Sequence, residues 1–337
     1  MSQALAPADS QTSPAGLVRP NRAAQVARLA QRQGALAVLV VLCLVAATQF
    51  SSFATPANLQ SIAMQASFLA VVALGMTFVI LGGGIDLSVG SVFALGGVLA
   101  AYASQYGTLA AIVVPLVVCG LIGLTQGLII ARGGLEPFIV TLAGLLFARG
   151  LLLLVTDGGT TTYRVPEDSA FRQLAQGELF SLPYPILMVT VLYLLGSLVL
   201  YRTSFGPTVL AIGGQQDAAE LMGLPVARTK VVTYVASGLL AGFAGVMIAS
   251  YTSSGVTVLG VGFELTAIAA VVLGGTLLSG GAGTVLGTLV GVLLLQVMAN
   301  VINQVGSLQS AWQSVVQGAL LLSVVVAQRY LAGIERR

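Results

Sequence analysis

ILGGGIDLSVGSVFALGG, Ile80 to Gly97, lies inside a long apolar stretch and puts three consecutive glycines and an aspartate where a membrane-crossing helix favours leucine. Gly82, Gly83 and Gly84 each weaken a helix by up to about 1 kcal/mol relative to alanine. A carboxylate at the centre of a bilayer costs about 3 kcal/mol on insertion scales. The stretch is therefore either outside the hydrocarbon or functional. Asp86 and Ser88 stand where N-caps stand for a helix beginning near Val89, and the helix dipole favours the carboxylate there. On the alternative reading, Asp86 lines a pathway or meets a partner subunit at the membrane face.

The rest of the chain fixes its class. Of 337 residues, 57% are hydrophobic and only 7% charged, with a mean hydropathy of +0.98, whereas soluble domains are about one-quarter charged. This is the composition of an integral membrane protein. Apolar runs of about 20 residues recur along the chain, the length of a membrane-crossing helix, and favour a helical bundle over a barrel of alternating strands. Cys43 and Cys119 sit inside apolar runs and read as small buried hydrophobes, with no disulfide or metal signal. Histidine is absent. The only lysine, Lys230, follows Thr229, so no G-x-x-x-x-G-K-[ST] phosphate loop exists in this chain.

Spans are expected at 34–50, 61–81, 87–104, 108–131, 135–156, 184–201, 229–251, 263–278, 284–303 and 309–328. The expected fold is an all-α polytopic transmembrane bundle of about ten spans, some of them glycine-broken or re-entrant, with both termini cytoplasmic. Residues 1–33 form a cytoplasmic arm expected to be disordered, with Arg19, Arg22, Arg28 and Arg32 against Asp9, and residues 34–331 form the transmembrane domain. Arg202, Arg228 and Lys230 fall around the loop 202–228, and Arg329, Arg336 and Arg337 in the tail, so basic residues gather on one side, as the positive-inside rule requires. The loop 157–183 falls on the opposite, extracytoplasmic side.

An internal echo links Ile80-Leu81-Gly82-Gly83 to Val272-Leu273-Gly274-Gly275: in each, glycines end an apolar span and a new helix starts soon after. Glycine-interrupted segments in corresponding halves point to a substrate path in transporters, although any two glycine-rich membrane helices look somewhat alike. Charges at membrane depth are few. Arg132 and Glu136 read as a local pair where Pro137 opens a helix. Arg149, deep in TLAGLLFARGLLLLV, needs a carboxylate or carbonyls inside the bundle, with Glu136 or Glu264 as the expected partner. A proton-coupled carrier needs titratable groups in its pathway, and this chain has almost none, so its energy source is expected to lie on another chain. On the basic side, Gln215 to Met222 make a short helix bounded by Gly213-Gly214 and Gly223, too short to be stable without something to dock against.

These residues carry a resemblance. GMTFVILGGGIDLSVGSV (Gly75 to Val92), FGPTVLAIGGQQDAAELMGLPVARTK (Phe205 to Lys230), YVASGLLAGFAGVM (Tyr234 to Met247) and ELTAIAAVVLGGTLLSGGAGTVLGTLVGVLLL (Glu264 to Leu295) are similar to the permease subunits of bacterial ABC importers for monosaccharides, from about residue 36 to 331. The resemblance implies a multi-pass protein of the bacterial inner membrane. It implies cytoplasmic ABC ATPase subunits as partners, a second permease in a homo- or heterodimer, an extracytoplasmic sugar-binding protein and a monosaccharide substrate, and no nucleic acid. It also implies that the chain is not an enzyme and binds no cofactor itself, ATP and Mg belonging to the partner ATPase. Gly206, Gly213, Asp217, Ala218, Ala219, Glu220 and Gly223 match the loop that couples to that ATPase. LGGTLLSGGAGTVLGT looks nearest the galactofuranose-type branch, with ribose or another pentose close behind. The N-terminal arm is longer than the family's pattern, and TDGGTTTYRVPEDSAFRQLAQGELFSLPYP is the most individual segment. Gln65, Ser67, Thr77, Ser88 and Ser91, with Asp86 and the breaks at Gly82 to Gly84 and at Gly274 and Gly275, are the expected pathway or helix-break residues. The alternative function is an ion-coupled secondary sugar transporter.

Overall fold

The computed structural model describes residues 22–306 and 311–335, so residues 1–21 of the expected arm lie outside the described residues. The elements are α1 (Arg22–Gln49), α2 (Pro56–Leu81), α3 (Val89–Ala103), α4 (Thr108–Gly133), α5 (Pro137–Val155), α6 (Gln173–Gln176), the two-residue strands β1 (Glu178–Leu179) and β2 (Leu182–Pro183), α7 (Tyr184–Arg202), α8 (Phe205–Gly214), α9 (Gln216–Leu221), α10 (Val226–Thr252), α11 (Phe263–Leu273), α12 (Val285–Val305) and α13 (Ala311–Glu335). Local chemistry sets many ends. Thr55 caps α2 by accepting from the Asn58 N–H, with Pro56 opening the first turn. Pro137 likewise opens α5, and Gly134, at φ 64°, ends α4. α1 begins inside the arm expected to be disordered, because the Ala-, Gln- and Arg-rich segment before Gly34 carries no helix breaker.

Six helices, α2, α4, α5, α7, α10 and α12, are long and apolar enough to cross a membrane. The chain is a multi-pass helical membrane protein. α2 is its axis: 94% of its apolar window is buried, against 28% in each of α4, α5 and α7, whose outer faces carry bare leucine, isoleucine and phenylalanine. α10 lies against α2, α3 and α4 through small residues. A Cβ on Gly96 would come within 2.9 Å of the Gly242 Cα, and one on Gly123 would fall on the Tyr234 carbonyl oxygen. Close backbone approach of this kind is how helices gain packing contacts where lipid removes the hydrophobic drive between them.

α3 and α11 are too short to span. At 1.5 Å per residue their 15 and 11 residues cover about 22 and 16 Å. Non-helical chain fills the rest. After α2 ends, residues 82–88 climb back into the bundle until Asp86 meets Ser237, roughly 16 Å into α10. After α10, residues 253–262 descend beside α3, where a Cβ on Gly255 would come within 2.9 Å of the Val98 Cα. The two half-helices then start side by side, Phe93 stacked on Phe263 with ring centroids 4.8 Å apart. The expected spans 87–104 and 263–278 are thus helical over 89–103 and 263–273, and the non-helical segments 82–88 and 253–262 lie outside or at the edge of them.

The echo is repeated in the backbone. Gly82, Gly83 and Gly84 donate to the carbonyls of Phe78, Ile80 and Val79, and Gly274, Gly275 and Thr276 donate in the same pattern to Ala270, Val272 and Val271. Gly83 and Gly275 both turn through positive φ, 79° and 89°. The restarts differ: the Thr284 hydroxyl caps α12 through the Gly287 N–H at 2.9 Å, whereas the Ser88 side chain makes no cap bond at α3. At the end of the bundle away from α8 and α9, residues 156–183 form an ordered cover. It is pinned to the last turn of α10 by Ala175 N–H to Ser250 Oγ (3.0 Å), Arg172 Nε to Ser253 Oγ (2.9 Å) and Val165 N–H to the Ser253 carbonyl (3.0 Å).

Replacing Gly123 with leucine forces α4 from α10, an overpacking cost of about 1–3 kcal/mol, while Gly150, with no neighbour within 4 Å, takes leucine freely. Thermal-shift measurements on detergent-purified protein are expected to show a fall for Gly123→Leu and none for Gly150→Leu.

Candidate functional site

Three glycine segments from distant parts of the chain meet at one end of the bundle. The Gly281 N–H donates to the Leu81 carbonyl at 3.0 Å, joining the break after α11 to the break after α2. A Cβ on Gly280 would come within 2.8 Å of the Gly83 Cα, and one on Gly281 within 2.8 Å of the Gly214 Cα. On Gly213 it would fall on the Leu81 oxygen. The joint between α8 and α9 therefore rests, backbone on backbone, against both helix breaks. Only glycine allows that approach.

α9 is the short helix expected from the sequence, and it has something to lean on: Ile212, Ala219 and Val226 form a small buried cluster joining α8, α9 and α10. Gln216 Nε2 donates to Glu220 Oε1 at 2.9 Å, and Lys230 Nζ donates to Gln216 Oε1. Gly223, at φ 75°, turns the chain out of α9, and Gly206 lets α8 pack against the last turn of α7 at Leu200. Ala218 is half-buried and Asp217 exposed. The outer face is apolar and bare: Leu221 is 90% exposed and Met222 67%.

Asp86 is buried among hydroxyls. Its Oδ1 accepts from the Ser88 N–H (2.9 Å) and Ser88 Oγ (2.6 Å), and its Oδ2 from Ser237 Oγ (2.7 Å). This corrects the expectation that Asp86 and Ser88 cap α3 by accepting from its free N–H groups, because the carboxylate turns instead to its own loop and to α10. Ser88 Oγ has one proton, and it goes to Asp86. Gln126 Oε1 lies 3.3 Å from Ser88 Oγ, while its Nε2 faces Gly144 and has no partner among the described residues. Tyr234 donates to the adjacent Ile85 carbonyl at 3.3 Å, and the Thr141 hydroxyl, which donates to the Pro137 carbonyl at 2.8 Å, lies 3.3 Å from the same Ile85 oxygen. The turn is thus tied to α4, α5 and α10 through Ser88, the Ile85 carbonyl and Asp86. Ser91 is buried beside it on α3.

Arg149 donates to the Leu259 carbonyl at 3.2 Å, so its partner is backbone of the descending segment and neither Glu136 nor Glu264. Glu264 instead lies over Gly90, where a Cβ would strike its carboxylate. Arg132 and Glu136 are both exposed at the turn between α4 and α5.

Of the expected pathway residues, Thr77, Asp86 and Ser88 are enclosed within the chain, whereas Gln65 is exposed on the seam between the antiparallel α2 and α12. That seam is polar along its length. Ser52 Oγ donates to Gln304 Oε1 (3.0 Å), and Gln304 Nε2 to Asn300 Oδ1 (2.7 Å). Asn300 and Asn58 pair amide to amide (2.8 and 3.3 Å), Gln296 Nε2 donates to Gln65 Oε1 (3.2 Å), and deeper in, the Thr77 and Thr288 hydroxyls meet at 2.8 Å. Sequence reasoning missed Asn58, Gln296, Asn300 and Gln304, although amides at 296, 300 and 304 mark one face of an otherwise apolar helix. Interhelical bonds of this kind contribute on average only about 0.6 kcal/mol each.

A family model described as "Branched-chain amino acid transport system / permease component" matches residues 58–325, and the chain belongs to that family. It is 38% identical over 301 residues, 89% of this chain and 93% of the relative, to the "Ribose import permease protein RbsC" of Bacillus subtilis (strain 168). It is 41% identical over 304 residues (88% and 91%) to the "Inner membrane ABC transporter permease protein YjfF" of Escherichia coli (strain K12). The "L-arabinose ABC transporter permease protein AraH" of Azospirillum brasilense is 35% identical over 333 residues (98% and 97%). No solved structure matches the chain. Like these relatives, the chain is a transport permease rather than an enzyme.

Asp86→Leu strands one buried N–H and two hydroxyls, each unpaired group costing about 1–3 kcal/mol, whereas Asp86→Asn keeps an acceptor for Ser88 and lets Ser237 accept in turn. The leucine variant is expected to lose most of its membrane-inserted yield and the asparagine variant little, as fluorescence-detected size exclusion measures.

Proposed function

We propose that the chain is the permease subunit of an ATP-driven monosaccharide importer in the bacterial inner membrane, with both termini and the α8–α9 hairpin in the cytoplasm. It pairs with a second permease. Cytoplasmic ABC ATPase subunits carry ATP and Mg, and an extracytoplasmic binding protein delivers the sugar to the side covered by residues 156–183. Ribose and arabinose, the sugars in the relatives' names, are the first candidates, with galactofuranose the further one from the sequence motif.

The observation that carries this reading is the seat of α8–α9. Force applied to α9 reaches the breaks of α2 and α11 directly, through Gly213, Gly214, Gly83 and Gly281, with no side chain to absorb it. Leu221 and Met222, bare beside Asp217 and Glu220, offer a small amphipathic knob for a groove on the ATPase. The ion-coupled alternative needs an acid open to the pathway. Asp86 is instead enclosed by Ser88 and Ser237.

Gly213→Val does not test coupling cleanly, because its Cβ would collide with the Leu81 carbonyl. Leu221→Arg changes only exposed surface. It is expected to abolish co-purification of the ATPase and sugar uptake while leaving thermal stability within about 0.5 kcal/mol of wild type. Full uptake and a normal ATPase stoichiometry in that variant would overturn the docking assignment.

A further inference from the structure

The amides of the α2–α12 seam are neither buried nor needed to neutralise a charge. Gln65 is exposed, while Asn58, Gln296, Asn300 and Gln304 are half-buried, and they hydrogen-bond chiefly to one another. Amides bare to lipid are expensive. α2 and α12 already meet deeper in the bundle through buried apolar side chains, so these weak rungs are poorly explained as glue. A separate, mostly apolar cleft of about 280 Å³ lies between α2, α7 and α12, with Ser67 and Thr190 among its lining, and the α2–α12 contact itself ends inward at the buried Thr77–Thr288 pair. Its outer rim is held by Gln60, whose Nε2 lies 3.4 Å from Glu178 Oε1 on β1, within the ordered cover.

From this geometry we infer that Gln65, Gln296, Asn300 and Gln304 form the entry track of the translocation path, which takes a neutral polyhydroxylated solute by exchanging amide–amide bonds for amide–hydroxyl bonds. The inference deepens the importer reading and rests on it. A carboxamide donates and accepts, as a sugar hydroxyl does, so each rung reopens onto the solute with no net change in bond count. Binding is then weak by construction, because one satisfied state replaces another, and a weakly held solute is released inward. No formal charge stands among these four residues, so an ion finds no ion pair there. Selection among sugars falls to whatever delivers them. Asn58 and Ser52 continue the track outward toward the end of α1.

The test uses the complete importer in proteoliposomes, with its ATPase and binding protein, and labelled D-ribose, L-arabinose and galactofuranose. Gln296→Leu and Asn300→Leu are each expected to cut uptake about tenfold, the worth of one good hydrogen bond, while ATP hydrolysis stimulated by the binding protein persists. A second arm does not depend on those variants folding well: Gln296→Cys in a Cys43→Ala, Cys119→Ala chain. That cysteine is expected to react with a neutral water-soluble methanethiosulfonate and to be shielded by saturating sugar during turnover. Wild-type uptake in both leucine variants, or a cysteine that labels equally with and without sugar, overturns the track and leaves the importer standing. A wild-type complex that accumulates none of the three sugars overturns both.

Discussion

A buried peptide group that has lost its helical partner must find another within the protein. Among the described residues, the ends of α2 at Leu81 and of α11 at Leu273 are answered at one place. The Leu81 carbonyl, freed by the end of α2, takes the Gly281 N–H from the other break. At the second break the Gln328 amide of α13 reaches the Val272 and Thr276 carbonyls, each at 3.4 Å. The glycines that end the helices are therefore also what lets the two interruptions satisfy each other, because any side chain at Gly213, Gly280 or Gly281 would push the three strands of backbone apart.

From that junction the architecture follows in order. Residues 82–88 climb away from it and need anchoring at depth, which Asp86, Ser88 and Ser237 provide. α3 and α11, each starting partway through the bundle, lie against α10 and α12 through small residues: a Cβ on Gly245 would strike the Phe93 carbonyl, and one on Gly291 the Ala270 carbonyl. α2 runs through the middle with almost no outward face. α4, α5 and α7 form the outer wall, apolar wherever they face away from the protein. Order imposed at a few glycines thus determines which helices are central and which are peripheral.

Much of this was readable beforehand, and the failures have common causes. The glycine boundaries of α9 were visible because two glycines and a third bracket a run of good helix formers, a purely local signal. The paired breaks were visible because their local sequence repeats. Asp86 was misread as a cap because its partner, Ser237, lies far along the chain and only tertiary structure brings it near. For Arg149 the sequence left a carboxylate or carbonyls open, and tertiary structure brought it the Leu259 carbonyl, in the turn-rich segment 253–262, rather than Glu136 or Glu264. The amide rungs escaped for a related reason: Gln65 was noticed alone, whereas its meaning comes from Gln296 on an antiparallel neighbour. Periodicity reports which face of a helix is unusual, and topology decides what it faces.

The neutrality of the α2–α12 seam has an electrical consequence. Moving one elementary charge across a membrane exchanges about 2.3 kcal/mol with each 100 mV of potential, but carboxamides and hydroxyls offer the voltage nothing to pull, and an uncharged cargo adds nothing. A passage built this way runs at the same speed in an energised cell and a depolarised one, and leaves the proton-motive force untouched.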